Sequence, residues 1–119
     1  MRISRWVAVG VAAVVALDRV VLRVEVVGDS MKPTLWPGDR VLAVRWVQVR
    51  VGDLVVVRDP RDRERLLVKR VAALSAGGVA VEGDNPGAST DSRTLGDVPR
   101  PAIVGRVIHQ YAASAGAPR

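Results

Sequence analysis

Residues 26–40 read VVGDSMKPTLWPGDR. The stretch begins as one apolar run, residues 22–27, ends, and it finishes where another, residues 40–49, begins. Between them Gly28 and Gly38 supply backbone freedom, while Pro33 and Pro37 fix φ and remove N–H donors, so neither regular helix nor regular strand fits. The segment is therefore expected to be a turn between two strands that holds Ser30 in place. Gly, Asp, Ser and Pro are equally what an ordinary surface turn is made of. Whether Ser30 does chemistry has to be decided by other residues.

Outward from this turn the chain reads as β. Leu22, Val24 and Val26 alternate with Arg23 and Glu25, the pattern of a half-buried strand. Residues 41–49 and 54–57, joined through Gly52-Asp53, predict a hairpin of Val-rich strands. RDPRDRER, residues 58–65, is polar and contains a proline, and predicts a solvated loop without chemistry. LLVKRVAAL, residues 66–74, predicts a strand that turns at 75–78 and returns through 79–82. Residues 84–99 are polar and rich in turn formers, and a loop of that length in a compact domain is more often functional than idle. Residues 101–110 close the sheet, and 112–119 are expected to be a disordered tail. Gly-Asp recurs five times, at 28, 38, 52, 83 and 96, each time at an expected turn.

A chain of 119 residues predicts one domain, here residues 20–111. The absence of cysteine excludes disulfides and thiolate metal sites and leaves the compartment open. A net charge of +6 suits an anionic partner, yet with no Phe and one Tyr there is little to stack on bases, so no nucleic-acid partner is expected. At the N-terminus MRISR precedes an apolar run, residues 6–17, shorter than the roughly twenty residues of a full span. An uncleaved anchor, a removed signal and a buried or peripheral helix all remain open, and the anchor is preferred. On that reading residues 1–19 engage membrane lipid, Arg2 and Arg5 stay cytoplasmic, and the remaining chain lies outside.

The positive charge is carried by sixteen Arg and only two Lys, Lys32 and Lys69. Lys69 lies within LLVKRV, where its amine is desolvated unless the strand is an exposed edge. Desolvation lowers an amine's pKa toward the range in which it can accept a proton, a role closed to arginine. A lysine snorkelling from a strand face is the alternative. The single histidine, His109, sits in the closing strand away from any motif, so a Ser-His-Asp arrangement is not expected and a Ser-Lys dyad is the workable one. One His and no Cys also leave zinc without its usual ligands, and no metal or cofactor is expected.

In this order the stretches resemble the conserved boxes of the type I signal peptidases, membrane-bound serine proteases with a Ser-Lys dyad. GDSMKPTLWPGD is similar to the nucleophile box, GDLVVVRDP to the strand box that follows, LLVKRV to the general-base box and GDNPGASTDSRTLGDVP to the last box. The resemblance implies a mainly β fold, a coiled antiparallel β-sheet catalytic core preceded by a short N-terminal apolar helix. It implies that Ser30 attacks the scissile carbonyl, that Lys69 takes its proton and that Ser89 orients the lysine amine. The Ser30 backbone N–H would be the main oxyanion donor; Gly28 stands where some members carry a second donor, a serine. Arg70 with Asp84, and Asp91 with Arg93, would be supporting ion pairs. Val26, Met31, Leu35 and Val68 match positions lining the pockets for substrate side chains, and equally suit an ordinary core.

The implied activity is removal of signal or leader peptides from exported precursor proteins after small residues, at the cell membrane with the catalytic domain on the extracytoplasmic side. Larger relatives insert a second domain between the base box and the last box, whereas residues 71–82 leave room here for one hairpin. In size and boxes the chain is also similar to the dedicated peptidases that mature nickel superoxide dismutase. A non-catalytic β binding module, using the Ser30 turn as a surface loop, is the alternative from another class.

Overall fold

The computed structural model describes residues 20–89, 93 and 96–118; the helix and anchor expected in residues 1–19 lie outside them. Six strands form one antiparallel sheet: β1 (Val21–Glu25), β2 (Arg40–Val44), β3 (Leu54–Asp59), β4 (Asp62–Ser75), β5 (Gly78–Glu82) and β6 (Ile103–Ala112). Their spatial order is β1-β2-β6-β3-β4-β5. The described residues are thus mainly β. Among them no helix is long and apolar enough to cross a membrane.

The run of valines in β3 follows from its central place. Val56 packs into one cluster with Val26, Met31, Leu35, Val41, Ala43 and Val68, while Val55 and Val57 point into a second with Val71, Val79, Val81 and Val98. A strand buried on both faces has no use for a polar alternate residue, so period-2 alternation vanishes there. It persists in β1, where Arg23 and Glu25 are exposed and Val24 is half-buried.

Two Gly-Asp turns are built alike. In Trp36–Asp39 and in Arg50–Asp53 the Asp N–H bonds the carbonyl three residues earlier, at 3.0 and 3.1 Å, with Gly38 and Gly52 at φ of 91° and 94°. The Asp carboxylate then accepts the N–H of that same earlier residue, 2.8 Å in each case. Each turn is closed from both sides, and the glycine supplies a φ that an L side chain rarely adopts. Asp39 is fully buried, and its second oxygen accepts the N–H of Ser114 at 2.6 Å.

The structure corrects the sequence reading in three places. Residues 41–49 and 54–57 do not form a hairpin with each other, because β6 lies between β2 and β3 and pairs with both. Alternation identifies a strand but does not name its neighbour. Residues 58–65 are not a loop: β3 runs on to Asp59 and β4 begins at Asp62, so the segment is the tip of a hairpin. Its side chains are exposed except for Asp59, which explains the loop-like composition. Asp59 is buried against Arg61, whose guanidinium holds the carboxyl below its ordinary pKa by hydrogen bonds of 3.0 and 3.1 Å. The stretch beyond residue 112, expected as a free tail, is tied to the sheet through the Ser114–Asp39 bond.

Asp39→Ala is expected to leave the Trp36 and Ser114 N–H groups without their charged acceptor and to cost about 3 kcal/mol. Urea unfolding checks this as a lower midpoint at unchanged slope; a loss within about 0.5 kcal/mol, typical of surface changes, would contradict it.

Candidate active site

Lys69 stands opposite Val55 in the β3–β4 ladder and is 3% exposed. Its Nζ donates to Ser89 Oγ at 2.9 Å. The snorkelling alternative requires an exposed ammonium, and burial at this level leaves no room for it. Ser89 reaches the lysine from the end of a 3-10 turn, Pro86–Ala88, which follows β5 directly through Gly83, Asp84 and Asn85.

Ser30 is half-buried in the loop between β1 and β2. A small cleft beside it is lined by Glu25, Val26, Val27, Met31 and by Leu66, Leu67 and Val68 of β4. The last box touches this loop directly. The Asn85 N–H donates to the Ser30 carbonyl at 2.8 Å, and the Asn85 side-chain amide donates to the Asp29 carbonyl at 3.1 Å. Gly83 lies so close that a methyl group there would sit 2.6 Å from the Ser30 carbonyl oxygen and collide with Ser89 Oγ. Only glycine lets the end of β5, Ser89 and the Ser30 main chain meet at one point.

Arg70 and Asp84 form a two-pronged pair, Nε to Oδ1 at 2.9 Å and the terminal nitrogen to Oδ2 at 2.8 Å. Thr34 donates its hydroxyl to Asp84 Oδ2 at 2.5 Å. One carboxylate therefore ties β4, next to Lys69, to the loop that carries Ser30. Its pKa is lowered, first by the Arg70 hydrogen bonds and also by Thr34, against the opposing effect of burial.

Arg93 donates to the Gly83 carbonyl at 3.1 Å and lies 3.9 Å from Glu82; Asp91, its expected partner, falls outside the described residues. Of the four expected pocket residues, Val26, Met31 and Val68 line the cleft, whereas Leu35 is buried in the core cluster without lining it. Lys32, the second lysine, pairs with Asp29 at 2.9 Å and covers the Trp36 ring at 4.2 Å, bracing the loop. His109 is exposed on β6. A separate surface concavity of about 750 Å³ is lined by Arg45, Trp46, Arg58 and Arg100 among others and shares no residue with this site.

Residues 2–85 match the family model described as signal peptidase, peptidase S26. The chain belongs to this signal peptidase family. It is 37% identical over 119 residues to mitochondrial inner membrane protease subunit 2 of Mus musculus, covering 78% of this chain and 67% of the relative. It is 36% identical over 108 residues to mitochondrial ATP-independent inner membrane protease subunit 1a of Arabidopsis thaliana, covering 68% and 64%. The chain thus spans about two thirds of the length of these relatives. By family the protein is a hydrolase of the serine peptidase class.

Sequence reasoning passed over Thr34, Gly83 and Asn85. In the sequence Gly83 opens the last box and reads as one of five similar Gly-Asp turns. Yet Gly83, unlike the glycines at 28, 38, 52 and 96, has no positive φ and is needed for close approach. Nothing local in the sequence distinguishes those two uses of glycine.

The Asp84 tie makes a pH-dependent prediction. A carboxyl with a lowered folded pKa stabilises the fold above its unfolded value, near 3.9, and the contribution is lost as pH falls through the folded value. With Arg70 36% exposed, screening leaves a deficit of about 1 kcal/mol for Asp84→Asn at pH 7. Urea unfolding of the two proteins at a series of pH values is expected to show that deficit shrinking as pH falls below ~4. A deficit that stayed constant with pH would contradict the charged tie.

Proposed function

We propose that the protein is a membrane-associated serine endopeptidase that removes signal or leader peptides from exported precursors, cleaving after small residues through a Ser30-Lys69 dyad. The observation that carries this reading is the buried Lys69 amine, hydrogen-bonded to Ser89, within a frame that also grips the Ser30 main chain. A surface binding loop gives no reason to bury an amine there.

In this reading Ser30 Oγ attacks the scissile carbonyl carbon and its proton passes to Lys69 Nζ, which must be neutral beforehand. The tetrahedral intermediate's oxyanion accepts from the Ser30 backbone N–H. Collapse breaks the C–N bond, and the departing amine takes the proton back from Lys69. Water then gives a proton to Lys69 and its oxygen to the acyl-serine ester, and Ser30 recovers its hydrogen as the acid leaves. Ser89 holds the amine in line, a service a flexible lysine needs.

Substrate presentation is supported by the strand pairings. Among the described residues β4 pairs with β5 only from Arg70 onward, and its edge at residues 66–68 borders the cleft, where an extended peptide would add. The small cleft suits small side chains. Residues 1–19 would hold the protein at the cell membrane with the catalytic domain on the extracytoplasmic side. What this chain shares with the mitochondrial proteases is its family.

Ser30→Ala and Lys69→Arg are each expected to lower cleavage of a peptide with an Ala-x-Ala site by 10²-fold or more, since losing the base costs at least about that much. Both should keep wild-type circular dichroism. Activity of the wild type should rise with pH as the amine deprotonates. Retention of activity within about tenfold by Lys69→Arg, which cannot serve as a neutral base, would overturn the dyad.

A further inference from the structure

We infer that Asn85 is a positioning residue that aims the Ser30 backbone N–H at the oxyanion. The inference rests on the proposed peptidase reading, in which that N–H is the main donor. In a trans peptide the carbonyl and the N–H lie in one plane and point in opposite directions. The Asp29 carbonyl and the Ser30 N–H belong to the same peptide group, so fixing the first fixes the second.

Asn85 holds both peptide groups that flank the Ser30 Cα. Its side-chain amide donates to the Asp29 carbonyl at 3.1 Å, alongside a 3.2 Å bond from the Lys32 N–H. Its own backbone N–H donates to the Ser30 carbonyl at 2.8 Å. With both planes held, φ and ψ of Ser30 are set, and with them the direction of its N–H and the root of its Oγ. Among the described residues the Ser30 N–H itself donates to nothing, which leaves it available to a ligand.

Asn85 is well placed to act as a fixed point. The preceding residue, Asp84, is locked to Arg70 and Thr34. The Asn85 carbonyl accepts the Ala88 N–H at 3.0 Å, closing the turn that delivers Ser89 to Lys69. The chemistry at position 85 is also specific. The Asp29 carbonyl needs a donor, which an amide nitrogen supplies and a carboxylate of the same shape does not. Neither alanine nor aspartate at 85 disturbs the backbone bond to Ser30.

Removing an oxyanion donor outright costs about 10² to 10³ in kcat. A donor that remains but is freed to turn should cost less, roughly 10- to 100-fold. The loss should fall on kcat, because the N–H bonds the oxyanion and not the ground-state carbonyl.

The test uses the full chain in detergent, with wild type, Ser30→Ala, Asn85→Ala and Asn85→Asp assayed on one Ala-x-Ala peptide across pH, each checked for folding by thermal melting. Both Asn85 variants are expected to lose 10- to 100-fold in kcat, with KM within about twofold and the apparent pKa of the pH-rate profile unchanged. The pH profile separates this role from one exerted through Lys69, and the isosteric Asn85→Asp guards against a variant that merely fails to fold. Wild-type kcat in either folded variant, a loss confined to KM, or a moved pKa would overturn the inference and leave the dyad intact. An inactive wild type, or Ser30→Ala as active as wild type, would overturn both.

Discussion

A lysine amine inside a sheet is costly unless something compensates for the lost water, and at Lys69 the compensation includes a hydrogen bond to Ser89, with the apolar faces of β3 and β4 around it. That bond requires Ser89 to arrive from elsewhere in the chain at hydrogen-bonding distance. The rest of the site can be understood as what brings it there. β4 carries Lys69 and runs through its turn into β5, and β5 delivers Gly83, Asp84 and Asn85 back alongside the base strand.

Those three consecutive residues each meet a different need. Gly83 allows the close approach that a side chain would block. Asp84 ties β4 to the Ser30 loop through Arg70 and Thr34. Asn85 grips the Ser30 main chain itself. The far end of the same segment is also held, where Val98 exchanges two 2.8 Å backbone bonds with Val79. On the proposed chemistry this matters because the nucleophile and oxyanion donor of the Ser30 loop and the base on β4 must be held to a fraction of an ångström.

Much of this was legible in the sequence because the signals were local. Ser30, between Gly28 and Pro33, lies in a stretch whose glycines and prolines mark a turn, and Lys69 in LLVKRV stands out in a chain that mostly uses arginine. The alternation in β1 and the valine run of β3 identified strands. The failures had a common cause. Residues 58–65 look like a loop because a projecting hairpin tip meets water on nearly every side, and the single inward residue, Asp59, is neutralised by Arg61 rather than marked by hydrophobicity. Residues 41–49 and 54–57 looked like partners because they are adjacent in sequence, while β6, the last strand of the chain, is the one inserted between them.

By itself the sequence determined the β class and the turn that carries Ser30, and it supports the proposed pairing of a serine with a lysine, since each depends on residue type and short-range spacing. Tertiary structure alone decided that Thr34 meets Asp84, that Leu35 is buried without lining the cleft, and that Asn85 meets Asp29 and Ser30 across more than fifty residues of chain. The physical reason is that a hydrogen bond between distant segments leaves no periodicity behind. Its donor and acceptor are ordinary loop residues until the sheet closes and brings them within about 3 Å.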